Sequence, residues 1–216
     1  MLLVGLTGGV ASGKTTVSRI LEKEGATVIA ADQIAKELVK PGRPAAQELA
    51  RVFGRGILRE DGTLDRKKLA NRVFSDPKQR NLLEKILHPR IKKEIERRIQ
   101  KVTQRDPEAI VIIDAALLIE VGAHREMDEV IVVTSKAEKQ IKRLEDRDGL
   151  APEEARRILA SQMPQEEKLK AADFVIPNDG ALEETIKRTK EIFQELKERA
   201  LLRAKKFNPI LERRRT

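Results

Sequence analysis

The chain has 216 residues, 40% hydrophobic and 37% charged, which is room for one α/β core with small insertions and hardly for two independent folds. It contains no Cys, excluding a disulfide framework, a thiolate metal site and a Cys nucleophile, and no apolar run approaches the roughly 20 residues of a membrane span. Of the net charge of +9, +6 resides in residues 197–216, where eight Lys or Arg face Glu198 and Glu212; with five Phe and no Tyr or Trp, stacking platforms for single-stranded nucleic acid are hard to build. The apolar N-terminus is short and lacks a basic leader. The plain reading is a cytoplasmic protein without membrane or nucleic-acid partners, a monomer or a small homo-oligomer.

In chain order, Leu2–Leu6 is a short apolar run bounded by Gly, consistent with a buried strand. Gly8–Gly13 breaks it, and Val17, Ile20 and Leu21 then take the i, i+3, i+4 spacing of an amphipathic helix. Gly25 ends that helix and Ala26–Ala31 reads as a second strand. From Asp32 to about Thr103 the pattern is helical, with turns at Pro41-Gly42 and Asp61-Gly62, and Ile91, Ile95, Ile99 and Val102 share one helix face. Ile110–Ile113, Val130–Val133 and Phe174–Ile176 read as three more buried strands, separated by helices at about 136–147, 151–162 and 181–206. Strands alternating with helices predict a three-layer α/β fold around a parallel five-stranded sheet. The expected organisation is a core of residues 1–31, 104–135 and 171–196, a helical insertion over 32–103, a lid over 136–170, and a basic tail over 197–216. Two states of that tail stay open, a disordered basic arm and a helix lying over the core.

Gly8-Gly9-Val10-Ala11-Ser12-Gly13-Lys14-Thr15 fits G-x-x-x-x-G-K-[ST], between a strand and an amphipathic helix as that motif demands. Small residues let consecutive backbone amides curl around phosphate oxygens, and the helix that follows aims its positive end at the same place. In such a loop Lys14 reaches the β- and γ-phosphates and the Thr15 hydroxyl ligates Mg²⁺. No guanine-reading N-K-x-D occurs, which argues against a GTPase. Asp32, just past the second strand, either accepts a proton from an acceptor hydroxyl or caps the following helix. Asp114 ends its strand like a Walker B carboxylate, or serves as a structural acceptor. His88-Pro89 is the only His-Pro pair. Arg143 and Arg147, one helical turn apart, either clamp phosphates from a closing lid or pair with Glu145 and Asp146 on a solvated helix. The residues alone thus leave a small-molecule kinase of open acceptor, with a nucleic-acid-binding protein using its basic tail as the other class.

Several blocks then narrow the choice. They are GLTGGVASGKTTV; Ala31-Asp32-Gln33-Ile34-Ala35-Lys36-Glu37-Leu38-Val39; Gly62-Thr63-Leu64-Asp65-Arg66; Leu83-Glu84-Lys85-Ile86-Leu87-His88-Pro89; Asp114-Ala115-Ala116-Leu117-Leu118-Ile119-Glu120; and Ser161-Gln162-Met163-Pro164 with Glu167-Lys168, Ala172-Asp173-Phe174-Val175-Ile176 and Asn178-Asp179-Gly180. In order and spacing over about residues 2–195, these resemble the dephospho-coenzyme A kinases, P-loop small-molecule kinases that perform the last step of coenzyme A synthesis. The resemblance implies transfer of phosphate from ATP, with Mg²⁺, to the ribose 3′-hydroxyl of dephospho-coenzyme A. It implies that Gly8, Gly9, Val10, Ala11, Ser12, Gly13, Lys14, Thr15 and Thr16 hold the nucleotide and that Thr15 meets the metal. It makes Asp32 the base, with Lys14 and Arg143 also catalytic, and Arg143 and Arg147 lid contacts to ATP. Lys36, Asp65, Arg66, His88 and Leu117 fall with Asp32 on the acceptor side. The chain departs from the family pattern at Ala30 (usually Asp), Lys36 (usually Arg), Ala11 (usually Gly) and Ala116 (usually Pro).

Overall fold

Short runs that are apolar on both sides form strands where helices cover both faces. The computed structural model, which describes residues 1–207 apart from the side chains of Arg66, Phe74, Ser75, Lys205, Lys206 and Phe207, has five such strands. They are β1 (Leu2–Gly8), β2 (Thr27–Ala30), β3 (Ile110–Asp114), β4 (Glu129–Thr134) and β5 (Phe174–Pro177), in the order β2-β3-β1-β4-β5. β1 pairs in parallel with β3 (Leu6 opposite Asp114) and with β4 (Gly8 opposite Val133), and β4 pairs in parallel with β5 (Thr134 opposite Pro177). The carboxyl ends of these strands therefore meet at one edge. The helices are α1 (Lys14–Lys23), α2 (Ala31–Leu38), α3 (Pro44–Phe53), α4 (Arg66–Ser75), α5 (Pro77–Arg105), α6 (Ala137–Asp148), α7 (Pro152–Ala160), α8 (Gln165–Leu169) and α9 (Leu182–Phe207).

Among the described residues two compact units emerge, one built from Met1–Ile29 with residues 101–207 and the other from Ala30–Gln100. In the first, alternate strand residues (Leu2, Val4 and Leu6; Ile110 and Ile112; Ile131 and Val133; Phe174 and Ile176) point to one face. There they pack on Val17 and Leu21 of α1 and on Ile192, Phe193 and Leu196 of α9. Each such fully buried aliphatic or aromatic side chain is worth about 1.5–3 kcal/mol of transfer free energy. On the opposite face a Cβ on Gly5 would stand 2.4 Å from Leu118 and 3.0 Å from Met127, so the chain after β3 lies directly on the backbone of β1.

The first part of the basic tail continues α9. Arg199 pairs with Glu129 at 2.5 Å and lies 4.6 Å from the Phe174 ring, and Arg203 pairs with Asp128. Ala200 packs against the core between them. As far as Arg203 the open choice is thus resolved as a helix on the core, and the helix runs on to Phe207; residues 208–216 lie outside the described residues.

The second unit gathers Val39, Leu49, Phe53, Ile57, Leu69 and Ile86 into a small core of its own. A turn at Asp61-Gly62 brings Leu58 opposite Leu64, with the Asp61 carboxylate accepting the Thr63 amide at 2.9 Å. Pro89 sits inside α5, one residue after an exposed His88.

Candidate phosphotransfer site

The turn from β1 into α1 is shaped by close approaches. A Cβ on Gly8 would meet the Val133 carbonyl at 2.5 Å, and one on Gly13 would meet Asn178 Nδ2 at 1.8 Å; Gly13 also has φ +95°. Ala11 takes φ +54°, a left-handed conformation unfavourable by roughly 1–2 kcal/mol for a residue with a Cβ. The Ser12 amide closes the loop on the Gly9 carbonyl at 3.1 Å. Among the described residues, the amides of Ala11, Gly13 and Thr15 donate to no protein acceptor. Helix α1 begins without a side-chain cap and without an acidic residue in its first turn, so no side chain of the helix itself neutralises its positive end.

The loop's outer side is fully engaged. Gln162 Oε1 accepts the Val10 amide at 2.8 Å, Gln140 Nε2 donates to the Val10 carbonyl at 2.7 Å, Arg143 donates to the Ala11 carbonyl at 3.0 Å, and Asn178 Nδ2 donates to the Ser12 carbonyl at 2.8 Å. Arg143 also donates to Ser135 Oγ at 3.2 Å and to the Asn178 carbonyl at 2.7 Å. Asn178 is itself fixed by Thr185 Oγ1, which donates to its Oδ1 at 2.9 Å. Beside them, burial works to push the Asp179 carboxyl up, but the Lys136 amide and Ser135 hydroxyl donate to it and Lys139 and Lys136 add charge. The balance holds it below the ordinary carboxylate value.

Lys14 donates to Asp114 Oδ1, so the strand-end carboxylate and the loop lysine meet although 100 residues separate them. Thr15 is exposed in the first turn of α1 and Thr16 is half-buried. Leu117, in the turn after β3, is 45% exposed. Arg147 behaves differently from Arg143: exposed on α6, it forms a two-pronged pair with Asp148 at 2.8 and 2.6 Å. That contact holds Asp148 below its usual value and Arg147 above its own. The Glu145 and Asp146 pairing considered from sequence gives way to this neighbour.

The remaining sequence candidates belong to the second unit. Asp32 and Lys36 are exposed and four residues apart on α2, hence on one face. Asp65 caps α4 by accepting the Lys68 amide at 3.1 Å, and that bond holds its carboxyl below the usual range. His88 is exposed on α5, and the side chain of Arg66 lies outside the described residues.

Sequence reasoning assigned no role to Gln140, Gln162, Asn178, Glu120 or Lys168. Only the motif blocks containing the last four signalled them. Lys168 is 1% exposed and donates to Glu120, tying α8 to the chain after β3.

A phosphate loop after the first strand, a carboxylate at the end of the adjacent strand and a parallel 2-3-1-4-5 sheet covered by helices define a P-loop kinase. Residues 2–184 match the family model described as dephospho-CoA kinase. A dephospho-CoA kinase of Geobacter sulfurreducens is 48% identical over 193 residues, 89% of this chain and 98% of its own length. One from Corynebacterium glutamicum is 45% identical over 184 residues, 85% of this chain and 92% of its own. Among solved structures, a Thermus thermophilus protein superposes with a TM-score of 0.79 at 32% identity, covering 90% of this chain and 97% of its own. The dephospho-CoA kinase of Campylobacter jejuni gives 0.68 at 29% identity, over 91% of this chain and 97% of its own. The chain belongs to the dephospho-CoA kinase family.

Proposed function

We propose that this chain transfers the γ-phosphoryl group of ATP to the ribose 3′-hydroxyl of dephospho-coenzyme A, giving coenzyme A and ADP. The observation that carries the chemistry is the loop's polarity: its carbonyls are anchored outward, while the Ala11, Gly13 and Thr15 amides and the uncapped start of α1 remain for an anion. The acceptor is carried by family membership across residues 2–184.

Lys14 exchanges its Asp114 contact for the β- and γ-phosphate oxygens and, with the loop amides, offsets charge developing on the transferred group. The Thr15 hydroxyl and the Asp114 carboxylate are hard oxygen donors of the kind Mg²⁺ takes. No cluster of three or more His, Cys, Asp or Glu able to hold a metal occurs among the described residues. When bound, Mg²⁺ supplies positive charge to the phosphate oxygens.

Chain order supports Asp32 as the group that takes the hydroxyl proton: it follows β2 by two residues, and ligands of parallel sheets collect beyond strand carboxyl ends. The acceptor oxygen attacks the γ-phosphorus, its proton passes to Asp32, and the bond to the β-γ bridging oxygen breaks to release ADP. Lys36, Asp65, Arg66, His88 and Leu117 are assigned to the acceptor side in this reading. Arg143 acts through the loop's backbone, and Arg147 leaves Asp148 to meet nucleotide phosphates.

The test is coupled ADP release with ATP, Mg²⁺ and dephospho-coenzyme A, product mass included. Turnover confined to that acceptor, with a product heavier by one phosphate, is expected; turnover only on AMP or adenosine would remove the substrate. Asp32→Asn should lower the rate by about 10²–10⁴, and near-normal turnover in that variant would remove Asp32 from the proton transfer.

A further inference from the structure

A trans peptide is planar, with its carbonyl and the next residue's N–H pointing to opposite sides. Anchoring a carbonyl from outside a loop therefore aims the following amide inward. Gln140 does this to Val10: its Nε2, 2.7 Å from the Val10 carbonyl, fixes the plane whose other end is the Ala11 N–H. The preceding peptide is held as well, because Gln162 Oε1 takes the Val10 N–H at 2.8 Å and so commits that amide to the protein.

One glutamine donates and the other accepts, so Val10 is bonded as it would be between two strands. The identities are dictated by the backbone, since a carbonyl needs the amide nitrogen of Gln140 and an N–H needs the oxygen of Gln162. Gly9 makes room, as a Cβ there would stand 2.9 Å from Gln140 Nε2. Gln140 is 5% exposed, on the same α6 face as Arg143, while Gln162 lies two residues past the end of α7. The residue whose amide is aimed is also the strained one, Ala11 at φ +54°. A conformation of that kind persists where its neighbours over-determine it.

We propose that Gln140 and Gln162 are positioning residues, a paired clamp on Val10 that aims the Ala11 amide at the nucleotide phosphates and ties the loop to the α6–α7 segment. This rests on reading residues 8–15 as the phosphate loop. The clamp acts on the nucleotide side of the reaction and leaves the acceptor side alone.

The experiment compares wild type with Gln140→Met, Gln162→Met and the double variant, all close in side-chain length and lacking the polar groups. Binding of MgATP is measured by calorimetry, KM for MgATP and for dephospho-coenzyme A by the coupled assay, and folding by thermal unfolding. Each single variant should weaken MgATP binding about tenfold, the scale of one lost hydrogen bond to a charged group. The double variant should fall well short of the hundredfold product, because both side chains hold one residue. KM for dephospho-coenzyme A should stay within about twofold. Gln162→Glu keeps the acceptor and, in high salt where its charge is screened, should recover most of the binding that Gln162→Met loses. Single variants within twofold of wild type for MgATP, or equal losses for both substrates, would overturn the clamp. So would a Gln162→Glu variant no better than Gln162→Met. Wild type failing to bind MgATP would instead sink the phosphate-loop reading itself, and the clamp with it.

Discussion

Replacing Lys168 by Met separates a charge left stranded from a charge pair removed. Lys168 donates to the Glu120 carboxylate and lies 3.5 Å from the Ala116 carbonyl. Glu120 Oε2 has no partner among the described residues, and the Glu120 side chain is 19% exposed against 2% for Lys168. Methionine nearly fills the lysine's volume, so no large cavity forms and the penalty is the desolvated carboxylate. One-sided removal of a buried pair costs about 3–5 kcal/mol. The partial exposure of Glu120 places K168M near the lower end, at about 3 kcal/mol. E120M strands the more deeply buried ammonium and should cost about 4 kcal/mol on the same scale.

The double variant K168M/E120M carries neither charge and should return to within about 1 kcal/mol of wild type, since an apolar pair of similar volume often substitutes for a buried ion pair. At roughly 2–4 °C per kcal/mol for a chain of this size, K168M should lower Tm by about 6–12 °C and the double variant by less than about 4 °C. Urea unfolding with unchanged m-values would establish that the native state, not the denatured ensemble, is responsible. Additive single losses, with the double variant the least stable of the three, would refute the reasoning. The pair would then be two independent contacts.

Two further outcomes follow from single positions. Gly13→Ala places a Cβ at φ +95° and 1.8 Å from Asn178 Nδ2, so it should displace Asn178 from the Ser12 carbonyl. A loss of at least about 2 kcal/mol in unfolding free energy and at least tenfold weaker MgATP binding are expected; normal binding would contradict the loop geometry. In the second unit the Arg97 side chain, and after it Arg98, hold Glu94 down at about 2 from 4.5. A depressed carboxylate contributes stability above its unfolded value, lost as pH falls through the folded one. Since Arg97 is half exposed, the contribution is about 1 kcal/mol. The destabilisation by Glu94→Gln should shrink to less than half between about pH 6 and pH 3, and an equal difference at both would count against the pairing.

How the chain spoke for itself varied by element. Five strands were legible because a buried parallel strand is a short, largely apolar run, a property of four to seven adjacent residues. The phosphate loop was legible because glycines, lysine and threonine must be contiguous to wrap one phosphate group. A helix over about residues 181–206 was legible, but whether its part beyond residue 196 stayed on the core was not. That depends on Arg199 and Arg203 finding Glu129 and Asp128 at the start of β4.

The sequence by itself determined the fold class and the phosphate-loop motif, because both rest on short-range patterns: apolar runs, helical period, and a motif of eight adjacent residues. Only the tertiary structure decided what holds that motif in shape. Gln140, Gln162 and Asn178 meet Val10 and Ser12 across 130, 152 and 166 residues of chain, and Lys168 meets Glu120 across 48. A glutamine on a helix has the same local pattern whether it faces solvent or a carbonyl. Its role arises when parallel strands bring their carboxyl ends to one edge, and hydrogen bonds then fall to whichever polar groups burial leaves within about 3 Å.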